Sequence, residues 1–260
     1  MTKLICLFPL MLGLSFFVRG QYTTQNAHSH NDYAQKSPFF LAYNAHFGSI
    51  EADIWAVEGK LFVAHSKQEI TLVRTLDQLY LQPIVTLFKK NGGHAWNDSP
   101  ASFQLLIDLK TEVEPTLSLL VEQLKKYPEV FDPAVNPHAI HVTITGNRPD
   151  PAGFKDYPEL ISFDGNVNLK YDKEQLKRIA LYSENLGSFT RWKGTEAIPA
   201  KENAKVQQII DSVHGIGKGI RFWNAPDTQD AWKTLMKMKV NFINTDHIPE
   251  LSSFLETNKN

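Results

Sequence analysis

Residues 49–55 have the sequence SIEADIW, in which two carboxylates, Glu51 and Asp53, interrupt an otherwise apolar run. Side chains two positions apart on a β-strand point to the same face, so these carboxylates are expected to lie side by side. Neighbouring carboxylates repel each other or share a proton unless a cation lies between them. The stretch therefore predicts a buried strand that ends at a divalent-metal site. The alternative is a pair of solvated charges on an edge strand.

Three other short apolar runs also end in reactive side chains. They are AHSHND at residues 27–32, VAH at 63–65 and LLIDLK at 105–110. Histidines can transfer protons, Asp108 can act as a third carboxylate ligand, and Lys110 can neutralise a phosphate. Together these are the groups that cleavage of a phosphodiester requires. For Asp108 and Lys110 alone, the alternative is a structural ion pair inside the core.

The rest of the chain alternates short apolar runs with longer amphipathic ones, a pattern typical of β/α units around a mostly parallel sheet. The predicted strands cover residues 24–29, 48–54, 60–64, 103–109, 138–144, 160–163, 178–182, 218–223 and 240–244. The predicted helices cover residues 36–46, 74–90, 114–126, 172–177, 201–214, 228–238 and 248–257. The sequence EG at residues 58–59 favours a tight hairpin, which makes the third strand an extension of the second.

Eight strands with helices between them predict an α/β fold of the (β/α)8 TIM-barrel type, formed by residues 21–260 as a single domain. The loops at the carboxyl ends of barrel strands surround one mouth and carry the chemistry in barrels generally. The reactive side chains listed above all follow strands. We therefore expect them to share that mouth.

The N-terminus combines Lys3 with an apolar run over residues 4–18, followed by Arg19, as in a secretory signal. This run is shorter than the roughly 20 apolar residues that span a bilayer, which argues against the alternative of an uncleaved anchor. We expect removal of residues 1–20 and a secreted or periplasmic mature protein. Cys6 is the only cysteine and lies in this segment, so a metal must be bound through oxygen or nitrogen.

The amino-acid composition and charge of the chain limit which partners and metal ions it is expected to bind. The 260 residues are 42% hydrophobic and carry a formal net charge of −1, enough to form a full core but without the basic surplus that nucleic-acid binding requires. Three carboxylates without a thiol favour one hard cation, Mg²⁺ or Ca²⁺ before Zn²⁺. Asn31, Trp223 and Asn224 are predicted to line the substrate pocket with Lys110, although Trp223 could instead fill the barrel.

The motifs resemble those of the PLC-like phosphodiesterase superfamily, which includes glycerophosphodiester phosphodiesterases, phosphatidylinositol-specific phospholipases C and sphingomyelinases D. The similar segments are the first histidine motif at 27–32, the Glu-x-Asp motif at 49–54, the second histidine at 63–65, the acidic and lysine motif at 106–111, and the last-strand sequence INTD at 243–246. The HSHNDY opening at 28–33 is most similar to a bacterial secreted branch. The resemblance implies a metal held by Glu51, Asp53 and Asp108, with Lys110 and Trp223 lining the phosphate pocket.

The chain also departs from that superfamily. It lacks the His-Arg-Gly opening and the Pro-Glu-Asn-Thr stretch of typical glycerophosphodiesterases, and the region before Glu51 is shorter, so their small inserted domain is expected to be missing. The substrate can therefore be a lipid head group as well as a glycerophosphodiester. Local similarity favours His28 as the first histidine, whereas the distance to Glu51 favours His30.

We expect a secreted, divalent-cation-dependent phosphodiesterase that acts as a monomer on a small-molecule or lipid phosphodiester, with transient contact with a membrane surface. Either His28 or His30 serves as the general base, and His65 serves as the general acid. An amidohydrolase or PHP-type metallohydrolase is one alternative, because those enzymes also begin with His-x-His after the first strand. A non-catalytic ligand-binding barrel is the other.

Overall fold

A computed structural model describes residues 21–258, so the predicted signal segment lies outside the described residues. Nine strands form one sheet: β1 (Ala27–Ser29), β2 (Ser49–Val57), β3 (Lys60–Val63), β4 (Gln104–Leu109), β5 (His141–Gly146), β6 (Ile161–Gly165), β7 (Ile179–Asn185), β8 (Gly219–Trp223) and β9 (Ile243–Thr245). The order is β8-β7-β6-β5-β4-β2-β1-β9, and every pairing along it is parallel. A single parallel bridge between Arg221 and Phe242 joins the two ends. The result is a nearly closed eight-stranded barrel, as predicted.

The ninth strand, β3, lies outside this ring and pairs antiparallel with the end of β2. Its hairpin turns at Glu58 and Gly59, whose φ angles are 49° and 74°. Both residues lie in the left-handed region that a two-residue hairpin of this kind requires. The prediction that β3 extends β2 is confirmed, and the hairpin carries His65 to the mouth of the barrel.

In the described part of the chain, eight α-helices follow or separate the strands: α1 (Phe40–Asn44), α2 (Gln82–Lys90), α3 (Val113–Leu124), α4 (Pro128–Phe131), α5 (Lys173–Lys177), α6 (Ala200–Gly215), α7 (Gln229–Lys237) and α8 (Ile248–Thr257). Helix α6, predicted over residues 201–214, buries Val206, Ile210 and Val213 against the barrel. Within residues 21–258, no helix has both the length and the apolar character to cross a membrane.

Several predicted boundaries were wrong for local reasons. The first strand begins at Ala27 rather than residue 24, because the side chain of Thr23 caps a 3-10 turn over Thr24–Asn26. The predicted helix over 36–46 shrinks to α1, because Phe39 has a φ of 65°. Helix α4 was not predicted, since four residues are too short to show a helical repeat.

The register of the strands decides which side chains meet. Asp53 on β2 lies directly opposite Asp108 on β4, and Asp108 lies opposite Thr145 on β5. On the other side of β2, His28 of β1 pairs with Ser49. Since parallel strands bring their carboxyl ends to one edge, the reactive residues of β1, β2 and β4 share the barrel mouth.

Candidate metal and catalytic site at the barrel mouth

Three carboxylates converge at the mouth. Glu51, Asp53 and Asp108 each offer one oxygen, and these oxygens lie within 4.8 Å of one another. Asp53 Oδ1 is buried and has no hydrogen-bond partner among residues 21–258. A buried carboxylate oxygen is costly without a partner, and an all-oxygen donor set suits a hard divalent cation. The three residues therefore fit a metal ion, as the sequence predicts.

Two positively charged side chains, Arg221 and Lys110, contact different members of this triad. Arg221 donates from NH1 to Glu51 Oε2 at 2.8 Å, and it also contacts His28. Lys110 Nζ donates to Asp53 Oδ2 at 2.9 Å and to Asp108 Oδ2 at 2.8 Å. Three negative charges thus face two positive ones, which leaves the cluster with a net negative charge for an incoming cation.

The pKa values of the acids reflect these contacts. Burial is the largest single effect and would raise the pKa of Glu51, but the Arg221 guanidinium and the hydrogen bond with His28 together hold that pKa well below its usual range. Burial and the Glu51 charge raise the pKa of Asp53 to about 6, although Lys110 opposes the shift. Burial also raises the pKa of Asp108. A positive ion among them would relieve the penalty for ionising both aspartates.

His30 lies at the mouth and is oriented by a carboxylate. Its side chain is 27% exposed, and its Nδ1 lies 2.9 Å from Asp246 Oδ1. An ionised carboxylate can only accept, so Nδ1 carries the hydrogen and Nε2 is free to accept a proton. Burial opposes the charged ring, but the hydrogen bond with Asp246 and the Glu51 charge outweigh it and raise the pKa of His30.

His65 follows β3, and its side chain is 66% exposed. Its Nδ1 lies 3.1 Å from the hydroxyl of Tyr33, which also lies 2.8 Å from Asp53 Oδ2 and 2.7 Å from Asn31 Oδ1. Burial and the Asp53 charge raise the pKa of Tyr33 above its usual range, so the phenol stays neutral. Tyr33 therefore connects the second histidine to the acidic triad.

His28 differs from His30 in depth. It is 0% exposed, and its ring nitrogens lie 2.6 Å from Ser49 Oγ and 2.8 Å from Glu51 Oε2. Burial and the Arg221 charge lower the pKa of His28 to about 3, so the ring is neutral. A substrate cannot reach this ring, and its nitrogens already have partners. The arrangement does not support the amidohydrolase alternative, in which His28 and His30 would share one metal.

A cavity of about 760 Å³ opens beside these residues, and its lining includes Asn31, Tyr33, His65, Arg74 and Asp246. Asn31 lines this cavity, and its predicted contact with a substrate stays a prediction. Trp223 is 40% exposed at the end of β8, so it does not fill the barrel. Asn224 is exposed and donates to Asn185 Oδ1 at 3.0 Å. Substrate contacts by Trp223 and Asn224 stay predictions.

Three residues of this network were not predicted as site residues from the sequence: Tyr33, Arg221 and Asp246. Tyr33 ends the HSHNDY motif, and its position directly after Asn31-Asp32 was the available signal. Arg221 precedes Trp223 by two positions and therefore shares its face of β8, which a strict period-2 analysis finds. Asp246 ends the last-strand sequence INTD, but its pairing with His30 spans 216 positions and follows only from barrel closure.

Comparison with known proteins agrees with this geometry. Residues 18–150 match the model of the AIM6-like phosphodiesterase domain, and residues 219–249 match that of the glycerophosphoryl diester phosphodiesterase family. Altered inheritance of mitochondria protein 6 of Kluyveromyces lactis is 31% identical, with 88% of this chain and 72% of that protein covered. The protein of that name from Saccharomyces cerevisiae (strain ATCC 204508 / S288c) is 28% identical over 76% of this chain. The chain spans 61% of the length of that relative.

Solved structures share the fold at low identity. A phosphodiesterase of Oleispira antarctica, solved in complex with the product sn-glycerol-3-phosphate, has a TM-score of 0.50 and 11% identity over 83% of this chain and 88% of that one. A putative glycerophosphoryl diester phosphodiesterase of Silicibacter pomeroyi has a TM-score of 0.52 and 10% identity over 92% of each chain.

The predicted superfamily is confirmed, whereas its bacterial secreted branch stays a prediction, since the curated relatives named here are fungal. One family model spans about half of the sequence, and the relative from Kluyveromyces lactis matches along most of it. The chain therefore belongs to the family of AIM6-like phosphodiesterase domains.

Proposed function

We propose that this protein is a secreted, divalent-cation-dependent hydrolase of phosphoric diesters. The observation that carries the proposal is the convergence of Glu51, Asp53 and Asp108, with Asp53 Oδ1 unpartnered among the described residues, beside two histidines. The N-terminal segment of the sequence supports secretion. The cation is Mg²⁺ or Ca²⁺, because the three ligands are all carboxylates.

Glu51, Asp53 and Asp108 hold the cation, which when bound supplies positive charge against the phosphoryl oxygens. Lys110 adds a second positive charge at the same place, since its Nζ lies within 2.9 Å of both aspartates. Arg221 is buried behind Glu51 and keeps that ligand ionised and oriented. Negative charge that develops on the phosphoryl group is thus met by charges already in position.

Each of the two histidines carries out one of the two proton transfers. His30 takes a proton from the attacking water through Nε2, because its Nδ1 is held by Asp246, and the same carboxylate stabilises the imidazolium that forms. His65 gives a proton to the leaving oxygen. If a hydroxyl of the substrate attacks in place of water, the same two residues produce a cyclic phosphate.

The substrate is a glycerophosphodiester or a phospholipid head group. The cavity beside His65 is of the size that small ligands occupy. The product sn-glycerol-3-phosphate in the Oleispira antarctica phosphodiesterase, which shares the fold, supports a glycerol-based diester. Monomeric action, transient contact with a membrane surface and the lack of a nucleic-acid partner stay predictions.

The test is hydrolysis of bis-p-nitrophenyl phosphate, glycerophosphodiesters and phospholipid vesicles by the purified protein, before and after chelation. We expect diester cleavage that chelator abolishes and Mg²⁺ or Ca²⁺ restores. Asp108→Asn should lose activity, whereas Asp211→Asn, an exposed aspartate on α6, should retain it as the matched control.

Three outcomes contradict the proposal. Activity in the presence of chelator contradicts the metal. Cleavage of amides or monoesters with Zn²⁺ but not of diesters favours the metallohydrolase alternative. Binding of a phosphodiester with no turnover of any substrate favours the non-catalytic barrel.

A further inference from the structure

The two mouth histidines have unlike partners. His30 contacts the carboxylate of Asp246, whereas His65 contacts the phenol of Tyr33. A carboxylate can only accept a hydrogen bond, but a phenol both donates and accepts. Which nitrogen of the neutral His65 ring carries the hydrogen therefore depends on the direction in which the phenol hydrogen points.

The other neighbours of the phenol decide that direction. Tyr33 Oη lies 2.7 Å from Asn31 Oδ1 and 2.8 Å from Asp53 Oδ2. The phenol has one hydrogen, which it can donate to only one of these oxygens. Asp53 Oδ2 also accepts from Lys110 Nζ at 2.9 Å, and an ionised carboxylate can only accept. The phenol hydrogen therefore points toward Asp53.

With its hydrogen so directed, Tyr33 Oη has only lone pairs to offer His65. The 3.1 Å contact is then a hydrogen bond donated by His65 Nδ1. The opposite assignment, in which the phenol donates to His65, would place the bare phenol oxygen 2.8 Å from the carboxylate oxygen of Asp53. That arrangement is repulsive, because neither oxygen would then offer a hydrogen to the other.

Tyr33 is also held firmly enough to act as a fixed partner. It is buried, and Arg74 donates from NH2 to its backbone carbonyl. The adjacent Asp32 accepts hydrogen bonds from Ser29 Oγ and Tyr80 Oη, which fix the loop after β1. His65, in contrast, is largely exposed and has no comparable packing of its own.

We propose that Tyr33 is a positioning residue that holds His65 in the Nδ1–H tautomer and so presents Nε2 to the substrate. This inference deepens the proposed function and rests on it for its catalytic consequence. Protonated at both nitrogens, His65 gives the Nε2 proton to the leaving oxygen, which keeps the electron pair of the broken P–O bond. The ring then returns to the neutral Nδ1–H form that Tyr33 stabilises. Tyr33 itself neither gains nor loses a proton.

The first test is spectroscopic and does not depend on activity. Long-range ¹H–¹⁵N correlation of histidine-labelled protein distinguishes the two neutral tautomers, and His65→Gln assigns the signals. We expect the Nδ1–H form in the wild type and a shift toward Nε2–H, the form an unconstrained imidazole prefers in water, in Tyr33→Phe. Tyr22→Phe, which removes a phenol bonded to the Val240 carbonyl, should change nothing and serves as the control.

The second test uses two leaving groups. Tyr33→Phe should lower kcat by about 10- to 100-fold on a dialkyl phosphodiester, whose leaving oxygen needs a proton, with KM little changed. On bis-p-nitrophenyl phosphate, whose leaving group departs without one, the loss should be below about 3-fold. A purely structural role for Tyr33 would lower both rates equally and would overturn the inference.

The two proposals fail separately. If the wild type cleaves no diester, the proposed function fails while the tautomer measurement still decides the role of Tyr33. An Nε2–H tautomer of His65 in the wild type, or an Nδ1–H tautomer that persists in Tyr33→Phe, overturns the inference whatever the activity. Since the wild-type spectrum alone can do so, the test stands even if Tyr33→Phe does not fold.

Discussion

Two layers of polar residues lie one above the other inside the barrel. The buried layer consists of His28, Ser49, Gln104 and Thr143, which hydrogen-bond in a row across β1, β2, β4 and β5 at 2.6 to 3.1 Å. The mouth layer consists of His30, Asp53, Asp108 and His65, which surround the candidate metal site. His28 and His30 are two positions apart on the same face, yet they belong to different layers.

The comparison indicates that depth along a strand, more than residue type, separates buried structural groups from the groups that we propose to act in catalysis. The buried layer forms hydrogen bonds among its own members, and of these only Gln104 retains any exposure, at 9%. The mouth layer has free groups, namely His30 Nε2 and Asp53 Oδ1, which a proton or a cation can occupy. Substitutions in the two layers should therefore affect different measurements.

The largest expected effect is on activity in the mouth layer. His30→Gln removes the group that accepts the proton from water, so kcat/KM on a diester should fall by about 10³-fold. The free energy of unfolding should change by less than about 1 kcal/mol, because His30 is partly exposed. His141→Gln, an exposed histidine at the opposite end of β5, is the matched control. Retention of full activity by His30→Gln would contradict its role.

His28→Ala should lower stability more than activity, the opposite of the effect expected for His30→Gln. It leaves a cavity and removes one of the two hydrogen-bond partners of Ser49 Oγ, so the free energy of unfolding should fall by about 3 kcal/mol in urea titrations. Diesterase activity of the folded fraction should fall less than in His30→Gln, since His28 acts through Glu51 and Arg221 rather than on the substrate. A stable but inactive His28→Ala variant would reverse the assignment of the two histidines.

Gln104→Met tests the buried layer away from any metal ligand. Gln104 donates to Ser49 Oγ at 2.9 Å and accepts from Thr143 Oγ1 at 3.1 Å. The loss of both bonds should cost about 2 kcal/mol of unfolding free energy, with kcat unchanged below the melting temperature. A large fall in kcat without a change in stability would mean that the buried layer takes part in the chemistry.

Asp164→Asn should give the smallest effect, and one that depends on pH. Burial raises the pKa of Asp164 from 3.8 to about 7, although Arg221 and Arg148 oppose the shift. Between about pH 4 and pH 7 the unfolded chain has released a proton that the folded chain retains, so the stability of the wild type falls as pH rises through this window.

The asparagine variant lacks that penalty because its side chain does not ionise. It should be more stable than the wild type by about 1–2 kcal/mol at pH 8 and should lose this advantage toward pH 4. Urea titrations at both pH values measure the difference. An advantage at pH 4 that vanishes at pH 8 would contradict the direction of the shift.

Much of this arrangement is readable in the sequence because it depends on local patterns. Period-2 spacing places Glu51 beside Asp53, and the order of apolar runs predicts the barrel and all nine strands. The triad follows from these two facts, since the carboxyl ends of parallel strands meet. The predicted boundaries that were wrong, such as those of the helix over residues 36–46, depend on capping and on the positive φ of Phe39.

The partners of the histidines could not be predicted, because they arise from closure of the barrel. Asp246 reaches His30 across the β1 and β9 pairing, and Arg221 reaches Glu51 across the barrel interior. Neither contact can be recognised from the spacing of residues along a single strand. For the same reason, the choice between His28 and His30 needs the depth of each side chain, which the shared period-2 pattern does not encode.

The most direct test of the central claim is the anomalous scattering of Mn²⁺ in crystals of the protein. One peak is expected at the mouth, within about 2.6 Å of an oxygen from each of Glu51, Asp53 and Asp108. The same peak should be lost in Asp53→Asn crystals, because Asp53 Oδ1 is a buried oxygen without a hydrogen-bond partner in the described part of the chain. The absence of a peak there in the wild type, together with diesterase activity that survives chelation, would contradict the central claim.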